Sequence, residues 1–293
     1  MIEGVNGDQI SNARQEALVE LLDDSSPVVR KALLSEFQAM GSQGVEFLQG
    51  ISHGHNRLNG RYANWYLTEL KFADPISEFR DFIRSLNYEL EIGMLLMCRT
   101  VYPEFTVSEC CSQLDSIAAR CRQLIIEPMS IREKCRVINR VLFHEYGFTG
   151  NVEHYSDPRN SFFNQVLERR KGIPITLSIL YVLVADRCDI RLETIGVPGR
   201  FMVGCFDERE PFFIDPFQRG LLRTPDDVFD LIRQNNLVPK VSDLAPTPVR
   251  EVLCRCCRNL AQHFTAARNF VNARLFTGFV EEFESTYRQQ VRS

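Results

Sequence analysis

The chain has 293 residues, 44 % of them hydrophobic and 25 % charged, with a formal net charge of −4. That balance is ordinary for a globular protein with room for one large or two smaller domains. Without a concentrated basic footprint it argues against a nucleic-acid partner. No apolar run approaches the roughly 20 residues of a membrane-spanning helix. The opening MIEGVNGDQISNARQE also lacks the basic-then-apolar order of a secretory signal. The expected setting is therefore the cytoplasm, with no membrane partner.

Residues 1–100 read as a helical segment. ARQEALVELLDDSSPVVRKALLSEFQAMG places apolar residues at helical spacing. Asp23–Pro27 separates two helices, with Ser26 at the N-cap and Pro27 at the first helical position. Gly41 and Gly44 mark the next break. This stretch resembles a HEAT repeat, in which an Asp-x-x-Pro-x-Val-Arg turn joins paired helices. Residues 45–72 read as a worn second copy, with Trp65 and Tyr66 in its core. His53-Gly54-His55 reads as a solvated loop. From Asp74-Pro75 another helical run is expected to about Arg99, and Tyr102-Pro103-Glu104-Phe105 is a hinge.

The second segment, 101–245, opens with SECCSQLDSIAARCRQLI, whose Leu114, Ile117, Ala118, Cys121, Leu124 and Ile125 form one stripe. Ser130 caps a further helix that Gly147 ends. Asn160–Arg170 is a short helix, and a buried helix follows Gly-Ile-Pro at 172–174. The third segment, 246–293, reads as two helices. There Leu260, Phe264, Ala267, Phe270 and Val271 form a core stripe, and His263 lies at the surface.

The ten cysteines are expected to be reduced fillers. Cys110–Cys111 and Cys254-Arg255-Cys256-Cys257 sit in helical patterns. Adjacent helical residues diverge by about 100° and converge poorly on one ion, so no metal and no cofactor is expected.

The densest information lies in 155–217. FHEYGFTGNVEHYSDPRNSFFNQVLERRKGIPITLSILYVLVADRCDI, followed by GVPGRFMV and FFIDPF, is similar to the SirB-type family of transglutaminase-like proteins. These are bacterial members of the papain-like transglutaminase superfamily, often followed by tetratricopeptide-type helices. The likeness covers about residues 85–270. It implies a mostly helical, transglutaminase-like core with a small antiparallel sheet and a tetratricopeptide-like tail; with the HEAT-like N-terminal segment, which lies outside the likeness, the expected fold is α+β. It also implies a cysteine nucleophile at a helix start, a histidine at the head of the next strand and an aspartate that orients it. Carried over, those positions fall on Pro174, Arg200 and Asp215. Proline offers no nucleophile, and arginine, protonated at neutral pH, is a poor general base.

The ribbon register follows from its turn. With Asp207–Glu210 as a four-residue loop, Phe206 faces Pro211, Met202 faces Asp215 and Arg200 faces Phe217. Arg200 and Asp215 then become diagonal neighbours on one face. The same register turns Cys205 to the other face, and Cys188 lies far from the helix start. His144 and His154 are the remaining bases, and Thr176 and Ser178 are unactivated hydroxyls. The leading expectation is a pseudoenzyme. Its pocket, formed by Asn160, Ser161, Asn164, Gly172, Thr176, Arg200 and Asp215, would bind a peptide, an anionic small molecule or a protein partner. A divergent thiol or serine acyl hydrolase, and an adaptor acting through the HEAT-like helices, are the alternatives.

Overall fold

A computed structural model describes residues 12–24, 26–54, 56–70 and 75–292. His55 and Asp74 of the sequence reading lie outside them. The chain divides into two compact units, one of residues 1–72 with 107–112 and one of residues 73–106 with 113–293. No helix among the described residues is long and apolar enough to cross a membrane.

The first unit contains α1 (Asn12–Leu21), α2 (Pro27–Met40), α3 (Ser42–Ser52) and α4 (Arg57–Leu70). Ser26 holds the extended N-cap position of α2, yet its hydroxyl makes no capping bond. Asp24 instead accepts the Ser26 N–H at 2.7 Å, so the acid of the turn does the ordering expected of the serine. Gly41 ends α2 in the left-handed region, at φ 56°. Gly44 does not break the chain but lies inside α3. A Cβ there would sit 2.7 Å from the Phe37 carbonyl oxygen, so glycine lets the two helices approach.

Trp65 and Tyr66 are core residues, as the sequence suggests. With Tyr62, Trp65 also stacks on buried Arg30, whose guanidinium carbon is 5.5 and 5.2 Å from the two ring centres. Arg30 donates to the Asp24 carbonyl and to Ser112 Oγ. This is how a buried cation avoids an unpaired desolvation cost.

The second unit is mostly helical, with one four-stranded sheet and one two-stranded parallel pair. The helical run expected to about Arg99 consists of two helices, α5 (Pro75–Arg84) and α6 (Leu90–Arg99). Leu86 turns into the left-handed region at φ 58°, and Glu89 recaps the chain by accepting the Ile92 N–H at 2.6 Å. Helix α7 (Val107–Leu124) buries Leu114, Ile117, Ala118 and Cys121, with Leu124 and Ile125 half-buried. Helix α8 (Ile131–Asn139) opens on a capping box between Ser130 and Glu133 and continues as a π-helical turn, Arg140–Glu145. Then come β1 (Thr149–Gly150), a 3-10 turn at Pro158–Asn160, α9 (Phe163–Arg169), β2 (Lys171–Gly172) and α10 (Pro174–Asp186). The helix expected from Asn160 therefore starts three residues later.

Helix α10 is buried on nearly every side, which explains why its sequence is apolar without periodicity. Beyond its end, buried Arg187 is held between Glu91 at 2.7 Å and Asp115 at 2.8 Å.

The expected two-stranded ribbon is part of a four-stranded antiparallel sheet: β3 (Glu193–Ile195), β4 (Met202–Cys205), β5 (Phe212–Asp215) and β6 (Leu221–Arg223), in that order. Val203 pairs with Ile214, Gly204 with Phe213 and Cys205 with Phe212, the register read from the turn. Helix α11 (Pro225–Gln234) covers one face through Val228 and Ile232, which pack with Ile195, Val197, Met202 and Phe213.

Helices α12 (Val249–Ala266) and α13 (Phe270–Arg292) complete the chain. Leu260 and Phe264 are buried, but Ala267, Phe270 and Val271 are exposed. The stripe fails because α12 ends and Arg268 turns left-handed at φ 56°, so helical phase is not carried across the turn. His263 is buried rather than on the surface.

Candidate functional site

The site is assembled where the start of α10 and the β4–β5 ribbon meet the 151–164 segment and α12. Pro174 occupies the first helical position of α10, where no N–H is needed. Thr176 is fully buried and occupied. Its hydroxyl donates to the Asn160 carbonyl at 2.8 Å and accepts the Ile173 N–H at 3.1 Å. Gly172 is buried beside it, and a Cβ there would press within 2.9 Å of that hydroxyl.

Asn160 is a frame residue. Its amide donates to the His154 carbonyl at 2.7 Å, and its side-chain oxygen accepts from Asn151 at 3.0 Å. Ser161 Oγ, Asn164 Oδ1 and Ser178 Oγ are buried and find no hydrogen-bond partner among the described residues.

Arg200 sits in a tight turn whose N–H returns to the Val197 carbonyl at 3.0 Å, after Gly199 at φ 75°. Its Nη1 donates to Asp215 Oδ2 at 2.8 Å, so the two residues do share a face. The Asp215 side chain is wholly buried and that of Arg200 is 26 % exposed. Burial raises the Asp215 carboxyl above its ordinary range, against the pull of Arg200, the Gln218 N–H and Arg223. Arg223 is a residue the sequence reading missed. Its Nε lies 3.7 Å from Asp215 Oδ2 and has no hydrogen-bond partner among the described residues. The signal was available: Asp215 pairs with Leu221 and Phe213 with Arg223, so a third strand after the Pro216–Gly220 turn places Arg223 diagonal to Asp215.

Three more side chains join from outside the ribbon. Arg255 of α12 donates from Nη2 to the Arg200 carbonyl at 3.3 Å, and its guanidinium lies 5.2 Å from the centre of the Phe201 ring. Burial lowers its pKa. Tyr155 lies edge-on to Phe217 at 6.2 Å and to His263 at 6.0 Å. Burial raises the Tyr155 hydroxyl, with Arg255 and then Arg200 pulling it back. The His263 Nδ1 is buried without a partner among the described residues, and desolvation lowers its pKa, opposed by Asp157.

The other candidates stand apart from an activated arrangement. All ten cysteines are buried. Burial pushes Cys98 and Cys135 up to about 12 and Cys254 up to about 11, and raises Cys205 on β4. Cys188 lies after the C-terminal end of α10, where a hydrogen bond with Cys121 lowers its pKa. His144 and His154 are exposed. His154 touches the frame through its backbone alone, its N–H donating to Asn151 Oδ1 at 3.2 Å. A buried thiol raised by desolvation has little thiolate at neutral pH.

The profile described as the transglutaminase-like superfamily matches residues 108–258, just over half of the chain. A "UPF0162 protein" of Xylella fastidiosa strain 9a5c is 34 % identical over 172 residues, 57 % of this chain and 61 % of that protein. A "UPF0162 protein" of Vibrio cholerae is 28 % identical over 130 residues, 44 % of this chain and 48 % of the relative. "F-box only protein 21" of Mus musculus is 28 % identical over 181 residues, 56 % of this chain and 27 % of the relative. The chain thus spans at most about three-fifths of the length of these curated relatives. No solved structure matches it significantly.

Proposed function

We propose that this chain, which belongs to the transglutaminase-like superfamily, is a binding protein on that scaffold and not an acyl-transfer enzyme. Its pocket holds an anion, such as a carboxylate on a peptide, a small molecule or a protein partner. The observation that carries the reading is the Arg200–Asp215 pair. It occupies the positions where the resemblance implies a histidine base and its orienting aspartate. Arginine cannot take a proton at neutral pH, but after one bond to Asp215 its fork retains donors for a ligand.

Pro174 at the implied nucleophile position supports the same reading, as do thiols that are buried throughout. In this reading Asn160, Gly172 and Thr176 frame the pocket, with Ser161 and Asn164 beside it and Arg200 as the group that meets the ligand. The test has two arms. Calorimetric titration with acetate should give saturable binding that Arg200→Ala removes. Acyl-donor peptides should show no turnover that thiol alkylation abolishes, whereas such turnover would favour a divergent hydrolase.

The finer placement, in the SirB-type branch and in the cytoplasm, belongs to the same proposal. So does the three-part organisation, 1–100 HEAT-like, 101–245 core and 246–293 tetratricopeptide-like. One observation favours an adaptor role as a second reading. An open apolar hollow on α2 is lined by Pro27, Val28, Lys31, Ala32 and Ser35, and Val28 is 77 % exposed. Substituting Val28 with a charged residue should then release a protein partner that Arg200→Ala retains.

A further inference from the structure

We infer that Arg255 is a second anion-binding group of the Arg200 pocket, so that the pocket takes ligands carrying two carboxylates. The inference rests on the anion-binding reading above and adds to it a ligand class and a residue from a different element.

The first observation is an unspent cation. Arg255 is half-buried, and no carboxylate among the described residues lies within ion-pair distance of it. Glu251, the carboxylate whose field it feels most, is engaged by Arg258 at 2.8 Å and by Arg250 at 3.5 Å. A guanidinium taken partly out of water is costly unless something pairs with it. Phe201 offers a ring face and the Arg200 carbonyl one acceptor. Neither carries a formal negative charge.

The second observation is placement. The segment before α12 is pinned to the sheet. Thr247 donates its N–H to the Thr194 carbonyl at 2.8 Å, and its hydroxyl accepts the Gly196 N–H at 2.7 Å. A Cβ at Gly196 would come within 3.0 Å of the Thr247 hydroxyl and 3.1 Å of Arg255 Nη1. Glycine therefore lets the guanidinium lie against the backbone that leads into Arg200. Arg255 is held beside Arg200 by this local architecture and not by an acid.

The third observation is charge. Arg200 and Arg223 share the single carboxylate of Asp215, which leaves a net positive group before Arg255 is counted. The hydroxyl of half-exposed Tyr155 feels the fields of Arg255 and Arg200 together. Guanidinium forks match carboxylates in a planar, two-bonded geometry. Two forks from different elements suit a molecule with two carboxylates better than one with a single charge.

The experiment titrates the full chain with acetate, malonate, succinate and glutarate by calorimetry at low ionic strength. The wild type should bind one dicarboxylate about tenfold or more tighter than acetate. Arg255→Gln should bring that dicarboxylate to within about twofold of acetate. Arg255→Lys should recover part of the difference, and Arg200→Gln should lose both ligands. Circular dichroism and the urea midpoint verify that each variant is folded, and the lysine variant keeps the test valid if the glutamine variant is not. An unchanged dicarboxylate preference in folded Arg255→Gln overturns the inference and leaves Arg255 as a packing residue on Phe201. Arg200-dependent acetate binding with no dicarboxylate preference overturns this inference alone. Absence of binding by every probe overturns the anion pocket with it.

Discussion

Arg200→Ala is the perturbation whose cost can be worked most fully from the structure. It deletes a 2.8 Å charge-assisted bond and leaves Asp215, with no exposed side-chain surface, beside Arg223 at 3.7 Å and the Gln218 N–H at 3.2 Å. Removing one partner of a fully buried pair costs about 3–5 kcal/mol. Two features reduce that here. Arg200 is 26 % exposed, so the lost interaction is partly screened by water. Arg223 and the backbone N–H still face the carboxylate. An expected loss of about 1.5–3 kcal/mol follows, the range for a hydrogen bond to a charged group. Urea unfolding followed by circular dichroism measures it, with Asp215→Asn and the double variant closing a cycle. The coupling between the two sites should exceed about 1 kcal/mol. A loss below about 0.5 kcal/mol in Arg200→Ala, or a cycle with no coupling, would refute the reasoning that the pair is a strong element of the site.

Other expectations can be tested with the same protein. Replacing Arg187 with Leu removes the buried cation that Glu91 and Asp115 share and should destabilise by about 3–5 kcal/mol, read from the urea midpoint. Ser130→Ala opens the capping box of α8 and should cost about 1 kcal/mol by the same measurement. The lowered pKa of His263 means that the folded state binds fewer protons than the unfolded chain just below pH 6.5. Its contribution is intact above that pH and lost as the pH falls, so wild type should lose more stability than His263→Leu between pH 7.5 and 5.5. An Ellman titration of the native chain should find its ten thiols protected until denaturant is added; rapid reaction of one thiol would reopen the hydrolase alternative.

Much of the fold and part of the site were legible in the sequence, for reasons that can be assigned to particular residues. The β4–β5 register could be read because a four-residue turn fixes every pairing on both sides of it. Helix α10 could be placed because Gly-Ile-Pro starts it and its apolar run is too long for a strand. The break between α5 and α6 was hidden because Leu86 takes a left-handed conformation that its side chain does not advertise. His263 looked like a surface residue because local polarity cannot reveal that Tyr155, from a distant segment, covers it. Arg255 was invisible for the same reason: its neighbours Phe201 and Arg200 are brought to it by tertiary packing. Arg223 was a different kind of miss, since β6 could have been registered against β5 through its own short turn.

The measurement closest to the central claim is an acetate titration followed by arginine-selective NMR in wild type, Arg200→Ala and Arg233→Ala. Arg233 is an exposed arginine paired with Asp230 and serves as the control. The account predicts saturable shifts at the Arg200 guanidinium and an affinity loss of about thirtyfold or more in Arg200→Ala, with Arg233→Ala unchanged. Acetate affinity that is equal in wild type and folded Arg200→Ala would contradict it, and would leave the Arg200–Asp215 pair as a salt bridge that only holds the ribbon together.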